Sequence, residues 1–179
     1  ICPTLTHGAE NNYSSAFLPA AYQATALGNA SIPAERAKIP FIDNDQTPRA
    51  AQRLELDLLR QMETEHLAVT GPDLALEGRI DSFELAFRMQ AAAPRLQDIS
   101  DETPATLALY GLDDAKTKNF GRQCLMARRF AESGVRFVQV SHSYKWDQHG
   151  GLRKDHASNA LEVDKSIAGL IRDLKARGL

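Results

Sequence analysis

Cysteine is scarce in this sequence: Cys2 and Cys124 are the only two among 179 residues. They stand far apart with no C-x-x-C spacing, so they offer neither a disulfide framework nor a cysteine-based metal site. Cys124 lies among apolar helical residues and reads as a small buried hydrophobe. Long hydrophobic runs are missing too. None approaches the ~20 residues that cross a bilayer, so no membrane span is expected. No basic segment followed by an apolar core opens the chain, so no signal peptide is visible. Neither sign of charge is in excess. Against 21 basic residues stand 23 acidic ones, a net charge of −2, which points to no nucleic-acid phosphate backbone and no anionic membrane as partner. There is no glycine-rich phosphate loop. No serine, histidine and acid can be assigned to a triad, although Ser141 and Ser143 flank His142.

What remains is an ordinary globular balance, 43% hydrophobic and 25% charged, on a length that fits one domain. The chain starts without Met and its last helix stops where a further strand is expected, so we expect it to be the central part of a single domain. Residues 1–46 read as an irregular arm interrupted by Pro3, Pro19, Pro33 and Pro40, with a short helix within residues 16–27. His7 in this arm reads as a solvated side chain. Residues 47–114 read as a helical segment. Thr47-Pro48 suits a helix start by capping and by proline's missing N–H, and Leu54, Leu58 and Met62, with Leu59, form an apolar stripe to about His66. His66 falls in the last turn, where a cation suits the dipole. Gly71-Pro72 opens a second helix to about Ala92, striped by Leu76, Ile80, Phe83 and Phe87. The short connection makes the two an antiparallel hairpin. A short helix follows at residues 104–110, with Ser100 and Thr103 offering caps.

Residues 115–179 read as helix, strand, loop and helix. Phe120, Cys124, Ala127 and Phe130 share one face of the first helix. Its lysines and arginines read as a solvated face paired with carboxylates, or as an attractor of anions. Gly134 fits the left-handed position that ends a helix. Residues 135–140, with Phe137 and Val138, read as a parallel strand covered on both faces. The last helix is expected over residues 156–177, with Ile167, Leu170, Ile171 and Leu174 toward the core and Gly178 as its C′ residue. The fold class is thus α/β, mostly helical, with one or two parallel strands.

In such folds ligands bind beyond the carboxyl ends of strands, and the polar loop from Ser141 to His156 lies there. Three of the five histidines and the sole tryptophan sit on it. Asp147 and His149, two apart, share one side of an extended loop, and His156 can turn back toward them. An aspartate with one or two histidines is a partial ligand set for a divalent metal ion. His142 and Trp146 would wall the pocket. A polar loop whose histidines are only hydrogen-bonded fits the same residues, since the spacing by itself is weak.

Several motifs then add up in one order: S-A-F-L-P-A-A-Y-Q at residues 15–23, F-E-L-A-F-R-M-Q at 83–90, L-Y-G at 109–111 and F-G-R-Q-C-L-M-A-R-R at 120–129. They continue with G-V-R-F-V-Q-V at 134–140, W-D-Q-H at 146–149 and D-L-K-A-R-G-L at 173–179. Over most of its length the chain resembles the bacterial domain-of-unknown-function 1501 family, often labelled sulfatase-like. The resemblance implies a fragment of an alkaline-phosphatase-like α/β fold and a metal-dependent hydrolase of the sulfatase/phosphatase type. Its substrates would be sulfate or phosphate esters, of a small molecule or a polysaccharide, and a catalytically inactive binding or structural relative is the alternative. A divalent metal ion would be the cofactor, lowering the pKa of a bound oxygen nucleophile and offsetting charge on the transferred group. Asp147 and His149 would be ligands, with His156 a third ligand or another residue of the site. Export to the periplasm or beyond is also implied. Family members carry a G-G-x-S-H-x-D-like run upstream and a G-G-E-F-G-R-T-like run downstream. Neither is in this sequence, so the nucleophile and the remaining ligands are expected on the rest of its own polypeptide.

Overall fold

In the computed structural model, residues 14–15, 18, 22–28, 32–39, 42–142 and 146–179 are described. The readings placed on Cys2, His7 and Ser143 lie outside the described residues, as do residues 16–17 and 19–21 of the expected short helix, whose described part, residues 18 and 22–27, is not α-helical. Among the described residues five α-helices follow one another, α1 Arg49–Thr70, α2 Leu74–Gln97, α3 Pro104–Leu109, α4 Lys118–Glu132 and α5 Leu152–Arg177, with a 3-10 turn at Ala34–Arg36 before them. The chain divides into two compact units, one of Ile1–Leu5, Ala26–Lys38 and Leu96–Leu179, the other of Thr6–Thr25 and Ile39–Arg95.

The second of these is built on α1 and most of α2. Thr47 does not cap α1. Pro48 occupies the N-cap position, and Asn44 Oδ1 accepts the N–H groups of Gln46 and Thr47 just ahead of it. Asp73 opens α2 by accepting from the N–H groups of Ala75 and Leu76 at 2.9 and 3.1 Å, the bonds an N-cap carboxylate makes. The side chains that join the two helices run in antiparallel order, Arg49 to Gln90, Arg53 to Glu84 and Arg60 to Asp81. On α1 the face that packs is not the expected one: Leu54, Leu58 and Met62 stand exposed and Leu56 is buried instead, whereas Ile80 of the expected α2 stripe is buried and Phe83 is exposed. Glu84 lies between Arg53 (2.5 Å) and Arg60 (3.1 Å), and Arg53 above all holds its carboxyl down to about 2. The Arg49 guanidinium lies 4.2 Å above the Phe87 ring centroid, so charged heads and apolar stems together cover the aromatic surface.

In the other unit, α4 and α5 pack together and close over the end of α3. Thr103 caps α3, its Oγ1 accepting from Thr106 N at 3.1 Å. The core comprises Tyr110, Phe120, Cys124, Leu125 and Val163, with Ile99, Leu107, Leu109, Leu112, Val140 and Leu170 packed against it. Two glycines allow the close approach. A Cβ on Gly121 would lie 2.2 Å from Tyr110 O, and one on Gly169 would lie 2.4 Å from Leu109 O. The carbonyls just after α3 are met by hydroxyls, Ser166 Oγ donating to Tyr110 O at 2.9 Å and Thr117 Oγ1 to Gly111 O at 2.5 Å. The buried face of α5 is therefore small and polar: Asn159, Val163, Ser166, Gly169 and Asp173. Ile167 and Ile171, expected in the core, are exposed, and Leu170 and Leu174 are half-buried.

An ionic cluster closes the same core. Arg128, 3% exposed, pairs with Glu102, with Glu132 at 2.5 Å and with Asp173 at 3.2 Å. The last contact is close enough for an ion pair but poorly aligned for a hydrogen bond. Asp173 also accepts from Tyr110 OH at 2.9 Å and Arg177 Nε at 2.7 Å. Arg129 bridges Asp101 and Glu102, and Arg177 reaches Glu132. The basic face of α4 is thus spent largely on carboxylates of the same unit.

The α/β reading is overturned. Helix accounts for 63% of the structure and there is no strand or sheet among the described residues. Gly134, at φ +92°, ends α4 as expected, and Val135 N still donates back to Phe130 O at 3.1 Å. Residues 135–140 then continue in no β-ladder with any described residue. A strand exists only through its ladder, and no described segment offers one. Phe137 is 81% exposed, and only Val140 of this run packs on the core.

Candidate functional site

The loop after Val140 returns to the helices through its aromatic residues. Trp146 Nε1 donates to His142 Nδ1 at 3.0 Å. An indole N–H can only donate, so Nδ1 must accept, and in the neutral ring the proton sits on Nε2. That nitrogen faces Glu162 Oε2 of α5 at 3.0 Å. The His142 ring is mostly buried and meets Phe120 of α4 edge-on, with centroids 5.5 Å apart. Trp146 in turn meets His142 at 5.9 Å and His156 at 5.6 Å, both edge-on. Phe120, His142, Trp146 and His156 form one continuous aromatic series from α4 to α5.

Beyond Trp146 the loop turns outward. Asp147 Oδ2 lies 3.3 Å from His149 Nε2, and the two side chains are 86% and 89% exposed. Gly151 is the N-cap residue of α5 with φ +65°. The helix starts at Leu152, one turn earlier than expected, so His156 is a helical residue in its second turn. An open cleft of about 420 Å³ lies here, lined by Asp147, Gln148, His149, Asp155, Asn159 and Glu162 among others. It is polar, and its charged lining residues are the three carboxylates.

The structure therefore brings Asp147 and His149 together, as the shared side of an extended loop requires, and bonds His142 to Trp146, neither of which lines the cleft. His156 is engaged with Trp146. Among the described residues no group of three or more His, Cys, Asp and Glu side chains is placed to hold a metal ion. Asp147 and His149 fit as two ligands, one carboxylate and one imidazole, and two are short of the four that a closed zinc site takes. Sequence reasoning missed Glu162, Asp155 and Asn159. Their signal was present, since positions 155, 159 and 162 share one face of a helix, but it shows only once α5 is known to begin before His156. Cys124 takes no part: burial pushes its thiol up to about 12, which leaves it inert.

Among the described residues no helix is long and apolar enough to cross a membrane. A family model described as "Protein of unknown function (DUF1501)" matches residues 3–179. No curated protein and no solved structure matches.

Proposed function

We propose that this chain, which belongs to the DUF1501 family, contributes a two-ligand part of the metal site of a hydrolase of the sulfatase/phosphatase type. The observation that carries the reading is the Asp147–His149 pair at 3.3 Å on the rim of a polar cleft. At such exposure the contact between them is weak, so both side chains are free to turn to a shared divalent ion. An ion held there would supply Lewis-acid polarisation of a sulfate or phosphate ester oxygen and offset its charge. The chain's own residues orient the site. Trp146, packed edge-on against His156, precedes Asp147 directly, and Ser158 and Asn159 of α5 line the open cleft beside the pair. The three lining carboxylates repel an anionic ester, so the ion must bind before the substrate. The remaining ligands and the nucleophile are not among the described residues, and export is the matching location for such an enzyme.

A second reading, a sulfatase-like binding protein without catalysis, is favoured by that incomplete ligand set. Elemental analysis of the protein separates metal binding from its absence. The hydrolase reading expects bound metal in the wild type and its loss in the Asp147→Ala, His149→Ala double variant. Unchanged metal content in the variant sinks it. Turnover of a sulfate or phosphate monoester that disappears with Asp147→Ala excludes the second reading.

A further inference from the structure

We infer that His142 is a positioning residue, tethering the loop that carries Asp147 and His149 to the α4–α5 core through the chain Glu162–His142–Trp146. Its importance for activity rests on the metal-site reading above, whereas the tether itself does not.

Trp146 precedes Asp147 directly, so wherever its indole is held, the rim pair emerges one residue later. The indole has one directed polar bond, to His142 Nδ1 at 3.0 Å, and two edge-on ring contacts, to His142 and His156. His142 is itself fixed on three sides: by Glu162 Oε2 at 3.0 Å from α5, by the Phe120 ring from α4 and by Trp146. Its side chain is 14% exposed while those of Asp147 and His149 are 86% and 89% exposed. The mostly buried imidazole therefore joins the rigid helices to an exposed pair that has few contacts of its own. The bond also sets chemistry. Because Nδ1 accepts from the indole, Nε2 carries the proton that Glu162 receives, so both ring nitrogens are committed and His142 is no ligand. A residue that fixes ligands in this way acts from outside the coordination sphere, where substitution typically weakens metal binding by about 10–100-fold.

Trp146 is the only tryptophan, so its emission reports the surroundings of this indole alone. The test measures acrylamide quenching of Trp146 together with zinc binding by calorimetry, in the wild type and in His142→Phe, His142→Asn and Glu162→Ala. His142→Phe keeps an aromatic ring beside Phe120 and removes the acceptor. One hydrogen bond lost should raise the population of free loop about fivefold, read as a higher quenching constant and red-shifted emission, with zinc affinity about tenfold weaker. His142→Asn places an amide oxygen near the position of Nδ1 and should return quenching toward the wild-type value, which a merely space-filling role for the ring would not predict. Glu162→Ala leaves the ring in place and frees it to tilt. Its quenching should fall between the wild type and His142→Phe, and it decides the matter should His142→Phe fail to fold. Quenching equal to wild type in His142→Phe, or in Glu162→Ala in that event, overturns the tether. If the wild type binds no zinc while the quenching order holds, the hydrolase reading fails and the tether stands.

Discussion

Removing the Arg128 guanidinium should cost this protein more than any exposed ion pair could. Three guanidinium groups, on Arg128, Arg129 and Arg177, face four carboxylates, on Asp101, Glu102, Glu132 and Asp173. Arg128→Met keeps most of the stem volume and leaves two cations facing four anions. Breaking a buried pair by removing one partner costs about 3–5 kcal/mol. The lower end applies here, because Asp173 keeps Tyr110 and Arg177 while Glu102 keeps Arg129. The expected loss is therefore about 3 kcal/mol. With a urea m-value of about 2 kcal/mol per molar, the midpoint moves down by about 1.5 M. Trp146 emission is the right probe, since the sole tryptophan lies in the same unit as the cluster. The pH dependence fixes the cause. Burial works to raise the carboxyls of Glu132 and Asp173, but the arginines, with the Tyr110 hydroxyl on Asp173, outweigh it and hold both below their usual range. Groups depressed in the fold stabilise it above their unfolded pKa, and that contribution is lost as pH falls through the folded value. The gap between wild type and Arg128→Met should thus be full near neutrality and close in acid, below about pH 4. A midpoint shift under about 0.5 M at neutral pH, with m unchanged, would refute the reasoning.

Further outcomes follow from close packing and exposure. Gly121→Ala puts a methyl group 2.2 Å from a backbone carbonyl and should destabilise by about 1–3 kcal/mol or more, seen as a lower thermal midpoint. Gly134→Ala meets no neighbour but keeps a positive φ, so its cost is confined to strain of about 1 kcal/mol. Phe137→Ala should change stability by about 0.5 kcal/mol or less, since the ring is exposed. A loss of about 3–5 kcal/mol would instead restore the buried strand. Cys124 should resist iodoacetamide in the native state and react only on unfolding, as its depth in the core requires.

The helices were legible in the sequence because their signals are local. Proline at the start of α3, Gly71 after α1 and Gly134 after α4 act within a turn of their own positions. The faces that pack were not legible. The period of Leu54, Leu58 and Met62 is that of a helix, yet α1 turns Arg53, Leu56 and Arg60 toward α2. In α5 the glycine, serine and aspartate face inward, because the end of α3 comes within contact distance and only small side chains fit. The run at 135–140 carries the composition of a strand, but its backbone needs a partner outside the run. At the candidate site the two-residue spacing was enough to pair Asp147 with His149. Nothing in the spacing of His142, Trp146 and Glu162 could show that they bond.

The sequence by itself determined most of where the chain turns helical and where it breaks, α5 excepted at its start, because these depend on side chains within a few positions of one another. The tertiary structure alone decided which face each helix buries, that Arg128 has enough carboxylates to be buried, and that His142 holds the loop. Each of those depends on atoms that meet across tens of residues, at distances no local pattern encodes.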